Sequence, residues 1–145
     1  MSEAVFLDTS GWIALLNAQD SVHAQASRVW AEVGLRGGDI IVTDWVVAET
    51  GNGLAKYPAR SGFADGVRRF EASPRGRLIT IDKSYLGRAL SLYDQRRDKT
   101  WGLVDCASFV VMWELGIYEA MTLDHHFEQA GFRCLLNGSD EINGH

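Results

Sequence analysis

Short unbroken apolar runs alternate along the chain with longer stretches whose apolar residues recur every three or four positions. The first run, Ala4 to Leu7, leads directly into Asp8, Thr9 and Ser10. Such a run fits a strand buried on both faces. Asp8, Thr9 or Ser10 can cap the helix that Trp12 to Leu16 continues. After a turn at 17–20, Asp20 or Ser21 caps a second helix through His23 to about Val33, apolar at Val22, Ala26, Val29, Trp30 and Val33. Gly34, Gly37 and Gly38 break it. Asp39 to Thr43 reads as a second strand, followed by Asp44. The helix from Trp45 to about Lys56 stops before Pro58, and Gly51 and Gly53 in it mean either close backbone packing or an early end. A helix over Arg60 to Ala72, a turn at 73–76 and a strand over Leu78 to Ile81, ending at Asp82, come next. A helix from Ser84 to about Arg97 carries Leu86, Leu90 and Tyr93 on one face. A strongly apolar helix from Leu103 to Leu115 closes at Gly116. Glu119 to Leu123 is a strand followed by Asp124, then come a short helix over Phe127 to Ala130 and an edge strand over Phe132 to Leu136. The alternation predicts a three-layer α/β/α fold with a mostly parallel sheet of four to five strands. There is no internal repeat and no linker. One domain is expected over 1–136, with a polar, frayed tail over 137–145.

The length of 145 residues suits one domain with one core. No apolar run approaches the roughly 20 residues of a membrane helix, and Met1 to Ala4 lacks the basic start of a secretory signal. Cys106 and Cys134 have no metal-type spacing and fit reduced thiols of a cytoplasmic protein. The net charge of −5 argues against a protein that coats nucleic acid electrostatically. Its distribution changes that picture. From Lys56 to Lys99 there are eleven basic and five acidic residues, +6, and the remainder holds three and fourteen, −11. A basic middle beside an acidic remainder points to a polar partner surface and a carboxylate cluster.

Asp8, Asp82 and Asp124 follow strands, while Glu49 and Asp105 lie near helix starts. Capping, exposure or the helix dipole explains each alone. Together, in a parallel sheet, they share the carboxyl edge, where α/β folds bind ligands. Converging carboxylates repel, so they hold a cation or raise one another's pKa. Oxygen ligands suit Mg²⁺ or Mn²⁺ rather than zinc. Two such ions about 3.5–4 Å apart hydrolyse phosphodiesters, and the basic middle can hold the neighbouring phosphates. No P-loop, His-Glu-x-x-His or Gly-x-Gly-x-x-Gly is present. Ser10 replaces the second acid of the Asp-x-Asp that a haloacid-dehalogenase phosphatase needs, and the acid spacing of a receiver domain is missing. Neither Ser10 nor Cys106 has an evident histidine partner. His23 reads as structural.

In order, the stretches Leu7-Asp8-Thr9-Ser10, Asp20 with His23, Val47-Ala48-Glu49, Arg97-Asp98-Lys99 with Trp101, Asp105-Cys106-Ala107-Ser108-Phe109 with Met112, Thr122-Leu123-Asp124-His125-His126-Phe127 and Gly131-Phe132 resemble the PIN-domain ribonucleases, and among them the VapC-type toxins of toxin–antitoxin pairs. The match spans about Val5 to Leu136. The resemblance implies a PIN-like fold and an acidic metal site of Asp8, Glu49, Asp105 and Asp124. Asp8 and Asp105 would be the central ligands, and Glu49 and Asp124 would complete the site directly or through water. Thr9 and Ser10 would orient the first acid or a water. It implies Mg²⁺- or Mn²⁺-dependent RNA hydrolysis by in-line attack, leaving 5′-phosphate and 3′-hydroxyl ends. It further implies homodimers and inhibition by a cognate antitoxin protein. Asp82 has no family role and reads as a helix cap, Cys106 as core, and His125 and His126 as shaping a turn rather than binding metal. Where the family often has Ser-Leu-Thr before Asp-Cys, this chain has Gly102-Leu103-Val104, so two hydroxyls are missing. Those two positions favour the rival reading, a non-catalytic PIN scaffold that binds RNA or a protein partner. Trp12, Trp30 and Trp45 are the candidate exposed aromatics of an interface.

Overall fold

The apolar runs form short parallel strands. In the computed structural model, which describes residues 3–138, these are β1 (Val5–Leu7), β2 (Ile40–Thr43), β3 (Gly76–Ile79), β4 (Glu119–Met121) and β5 (Arg133–Cys134). They pair in the order β3-β2-β1-β4-β5, and every adjacent pair is parallel. The central strands β1 and β2 are buried at every position, as their unbroken apolar runs require. The edge strands β3 and β5 are partly exposed. The chain lays β1, β2 and β3 in one direction and then returns to place β4 on the other side of β1. The switch point therefore lies between β1 and β4, and a crevice forms beyond their carboxyl ends.

The helices are α1 (Thr9–Leu16), α2 (His23–Arg36), α3 (Asp44–Leu54), α4 (Phe63–Ala72), α5 (Lys83–Gln95), α6 (Leu103–Leu115) and α7 (His126–Gln129). The α6 residues Cys106 to Met112 are all buried, which explains that helix's nearly uniform hydrophobicity. Phe109 meets Trp101 and Phe127 edge to face, each at 4.9 Å between ring centroids. Phe127 in turn lies 6.2 Å from Phe6 of β1. This aromatic cluster fixes the starts of α6 and α7 against the central strand. His23 Nδ1 donates to Ala14 O at 2.9 Å, joining α1 to α2 as the structural reading expects. No helix among the described residues is long and apolar enough to cross a membrane.

Several expected boundaries shift for identifiable reasons. Helix α2 runs through Gly34 and ends at Gly37, which takes the left-handed conformation (φ 80°) that glycine adopts without strain. The helix expected over Arg60 to Ala72 splits into a 3₁₀ turn, Pro58–Arg60, and α4. Strand β3 begins two residues earlier than expected, because Ile40 pairs with Gly76. Both expectations for Gly51 and Gly53 hold: α3 ends at Leu54, and a Cβ on Gly53 would lie 2.6 Å from Ile13 Cδ1 of α1. Leu90 and Tyr93 of α5 are exposed, and Ala89 takes the buried position. Trp12 is buried beneath Phe63, 5.2 Å away edge to face, and Trp30 and Trp45 are half-buried, so these three are not an exposed aromatic set. At the start of the tail, Asn137 and Gly138 both donate their amides to Gln25 Oε1 at 3.3 Å, and the rest of the tail lies outside the described residues.

One close approach sets the geometry of the carboxyl edge. A Cβ on Gly11 would lie 2.0 Å from Met121 O, so only glycine lets the first turn of α1 rest on the end of β4. Gly11→Ala is therefore expected to cost about 3 kcal/mol, read as a lower urea midpoint with an unchanged m-value.

Candidate metal centre

Asp8 ends β1 and occupies the N-cap position of α1, yet its side chain makes no capping hydrogen bond. Its Oδ2 instead accepts from Thr122 Oγ1 at 2.8 Å and faces Ser10 Oγ at 3.5 Å. The two hydroxyls lie 3.1 Å apart. Ser10 Oγ accepts the Leu123 amide at 2.9 Å, and Thr122 Oγ1 accepts the Asp124 amide at 3.0 Å. The amides thus occupy acceptor positions on both hydroxyls and leave hydroxyl protons for the carboxylate. Asp8 is 4 % exposed. Burial pushes its carboxyl up to about 7; the Thr122 hydrogen bond opposes this, and the charges of Asp105 and Asp124 add to it.

Asp105 lies in the first turn of α6, where the helix dipole favours a carboxylate. Its Oδ2 accepts the Gly102 amide at 3.1 Å. Gly102 has no side chain with which to cap α6, so this is one half of a reciprocal capping pair. The same Oδ2 lies 3.1 Å from His126 Nδ1. Asp124 follows β4; its Oδ1 accepts the His126 amide at 2.9 Å and lies 3.2 Å from His126 Nδ1. One ligand atom each from Asp105, Asp124 and His126 falls within a 4.8 Å span. Burial raises the Asp105 pKa, against the Gly102 amide, with Asp124 raising it and His126 lowering it.

The structure sorts the acids expected along this edge. Asp105 and Asp124 come together with His126, and Asp8, outside that 4.8 Å group, lies near enough for both charges to act on it. Glu49 is exposed on α3 and lies outside the 4.8 Å group. Its Oε1 accepts from Thr9 Oγ1 at 2.6 Å, and Thr9 adjoins Asp8. Two further acids serve the backbone: Asp44 Oδ1 accepts the Ile81 amide and Asp82 Oδ1 the Tyr85 amide, both at 2.9 Å. Asp82 is thus the cap of α5, as expected. Burial pushes the Cys106 and Cys134 thiols up to about 11, which leaves them unionised at neutral pH. The His126 amide shapes the turn as expected, and its ring in addition stands between two carboxylates. Thr122, whose only sequence signal is its place two residues before Asp124, holds Asp8. On its far side the His126 ring has Nε2 at 3.2 Å from Thr100 Oγ1. Trp101 Nε1 donates to Gln129 Oε1 at 2.8 Å. These contacts tie Thr100 and Trp101, which follow the basic stretch Arg96, Arg97 and Lys99, to α7. Carboxylate oxygens with one imidazole nitrogen form a donor set that fits a divalent cation.

A family model described as the PIN domain matches residues 5–133. The 23S rRNA-specific endonuclease VapC20 of Mycobacterium tuberculosis, from strains CDC 1551 / Oshkosh and ATCC 25618 / H37Rv, is 32 % identical to this chain over 130 residues, which cover 88 % of this chain and 95 % of that protein. The crystal structure of Mycobacterium tuberculosis VapC20, a Sarcin-Ricin loop cleaving toxin, superposes with a TM-score of 0.78 at 28 % identity, over 88 % of this chain and 95 % of that one.

The raised pKa of Asp8 makes stability depend on pH in a set direction. Between its unfolded value of 3.8 and its folded value of about 7, the folded protein holds a proton that the unfolded chain has released. The metal-free protein therefore loses stability as pH rises through this window, by on the order of 4 kcal/mol from Asp8. In EDTA, the wild type is expected to lose ground to Asp8→Asn in urea-unfolding free energy from pH 4 to pH 7. A constant difference would refute the assignment.

Proposed function

The chain is a member of the PIN-domain family, and from that premise we propose that it is a divalent-metal-dependent endoribonuclease and the VapC-type toxin of a toxin–antitoxin pair. The observation that carries this reading is the cluster of Asp105, Asp124 and His126 beside the buried Asp8 at the switch point of the sheet, with hydroxyls and amides committed to holding the acids. A scaffold that binds RNA without chemistry has no need of a carboxylate buried at a cost in stability. The departures at Gly102 and Val104 remove no acid, because the Gly102 amide still anchors Asp105.

In this reading Asp8, Asp105 and Asp124 hold Mg²⁺ or Mn²⁺, with Glu49 completing the site through water. The bound ion would activate water and stabilise the leaving 3′ oxygen of the phosphodiester. Thr122 and Ser10 keep the Asp8 carboxylate aimed into the crevice, and Thr9 draws Glu49 toward its rim. The basic loop over 96–99 meets the phosphates that flank the cut. RNA is the substrate class. Large-subunit ribosomal RNA is the first candidate, by likeness to VapC20.

A cytoplasmic site of action follows from that substrate. The apolar cavity of about 790 Å³ lined by Trp12, Leu15, Trp30, Phe63 and Phe70 shares no residue with the acid cluster, which suits an antitoxin segment that docks without competing for the ion. The exposed Leu90, Tyr93 and Trp113 of α5 and α6 support a homodimer.

Incubating ribosomes and extracted ribosomal RNA with the protein, with and without Mn²⁺, tests the activity. Metal-dependent cuts are expected, with Asp8→Asn and Asp105→Asn each slower by on the order of 100-fold or more. Inert wild type would favour the scaffold, and cleavage that survives both substitutions would refute the site.

A further inference from the structure

We propose that His126 is a metal ligand through Nδ1, and that it biases the site toward Mn²⁺ over Mg²⁺. The inference rests on the reading of Asp105 and Asp124 as a metal centre and adds to it a donor that was expected only to shape a turn.

Three observations converge. First, Nδ1 lies 3.1 Å from Asp105 Oδ2 and 3.2 Å from Asp124 Oδ1. Neighbouring ligands around a six-coordinate ion with bonds of about 2.1 Å stand about 3 Å apart. The nitrogen is thus spaced from both oxygens as one ligand is from the next. Second, the ring is held from its other side. Nε2 lies 3.2 Å from Thr100 Oγ1, a hydroxyl able to accept the Nε2 proton. In the tautomer protonated at Nε2, the one a cation at Nδ1 requires, the Nδ1 lone pair is directed between the two carboxylates. An outer hydrogen bond of this kind is how ligating histidines are oriented. Third, the ring has little freedom. The His126 amide is tied to Asp124 Oδ1, the side chain is 17 % exposed, and the ring of His125 lies 4.7 Å away.

The consequence is one of selectivity. Mg²⁺ demands oxygen ligands and sheds water reluctantly. Imidazole nitrogen binds first-row transition ions far better than it binds Mg²⁺. An imidazole added to the carboxylates therefore makes a site that favours Mn²⁺, whereas carboxylates alone would leave the two ions closer in affinity. His125, exposed and outside the cluster, gives a neighbouring control.

The test is binding rather than turnover. The protein, stripped with EDTA, is titrated calorimetrically with MnCl₂ and separately with MgCl₂, and the Mn²⁺ complex is examined by electron spin echo spectroscopy for coupling to a ¹⁴N nucleus. Wild type and His125→Asn are expected to bind Mn²⁺ at least about tenfold more tightly than Mg²⁺ and to show the nitrogen coupling. In His126→Asn the coupling disappears and Mn²⁺ affinity falls about tenfold, while Mg²⁺ affinity is kept. Absence of nitrogen coupling in the wild type overturns the proposal whatever the variants do. So does a Mn²⁺ to Mg²⁺ ratio that His126→Asn leaves unchanged. If the wild type binds both ions, Asp105→Asn abolishes both and no nitrogen is seen, only the role of His126 falls. If the wild type binds neither ion, the metal-centre reading falls with it.

Discussion

The carboxyl edge of this sheet is governed by one buried ionisable group. Asp8 ends the central strand, almost sealed from water, and its position is tolerable because two hydroxyls and the amides behind them are oriented toward it. Those hydroxyls come from opposite directions, Ser10 from the first turn of α1 and Thr122 from the end of β4. They meet because Gly11 allows the two backbones to touch. The same arrangement locates Asp124, whose amide donates to Thr122. Placement of the acids is thus a property of the β1–α1 and β4–α7 junctions together, and neither junction would hold alone.

The remaining acids are offset by backbone. Asp105 occupies the positive end of α6 and takes the Gly102 amide, so its repulsion with Asp124 is moderated by dipoles that cannot diffuse away. The aromatic cluster around Phe109 makes this arrangement stiff, since it packs α6, α7 and β1 into one unit. Stiffness matters for cation chemistry, because carboxylates free to swing apart would relieve their repulsion by moving rather than by binding an ion.

Much of this was legible in the sequence. The buried strands, the alternation of layers, the place of Asp8 at the end of the first strand and the roles of Asp82 and Cys106 follow from apolar runs and from residue types at their ends. The limits are as physical. Sequence period places Leu90 and Tyr93 on a helix face but does not say which face finds a partner, and the buried stripe of α5 proved to pass through Ala89. Asp44 and Asp82 carry the same local signature as Asp8. What separates them is whether an amide two or more residues away claims the carboxylate, and for Asp44 that amide, Ile81, belongs to another strand connection. The ring of His126 was illegible for a related reason. Its backbone forms the expected turn, while the destination of its ring depends on α6 and on the Thr100 loop, distant in sequence.

The edges of the sheet carry a consequence of their own. Strand β3 has four residues and β5 two. Each bears an exposed arginine, Arg77 facing Asp39 and Arg133 facing Glu119. An edge this short and this charged is a poor template for a strand from a second molecule. At high concentration the protein should therefore resist growth into fibres, and copies that associate should do so through helical faces, leaving the hydrogen-bonding rims of the sheet out of the contact.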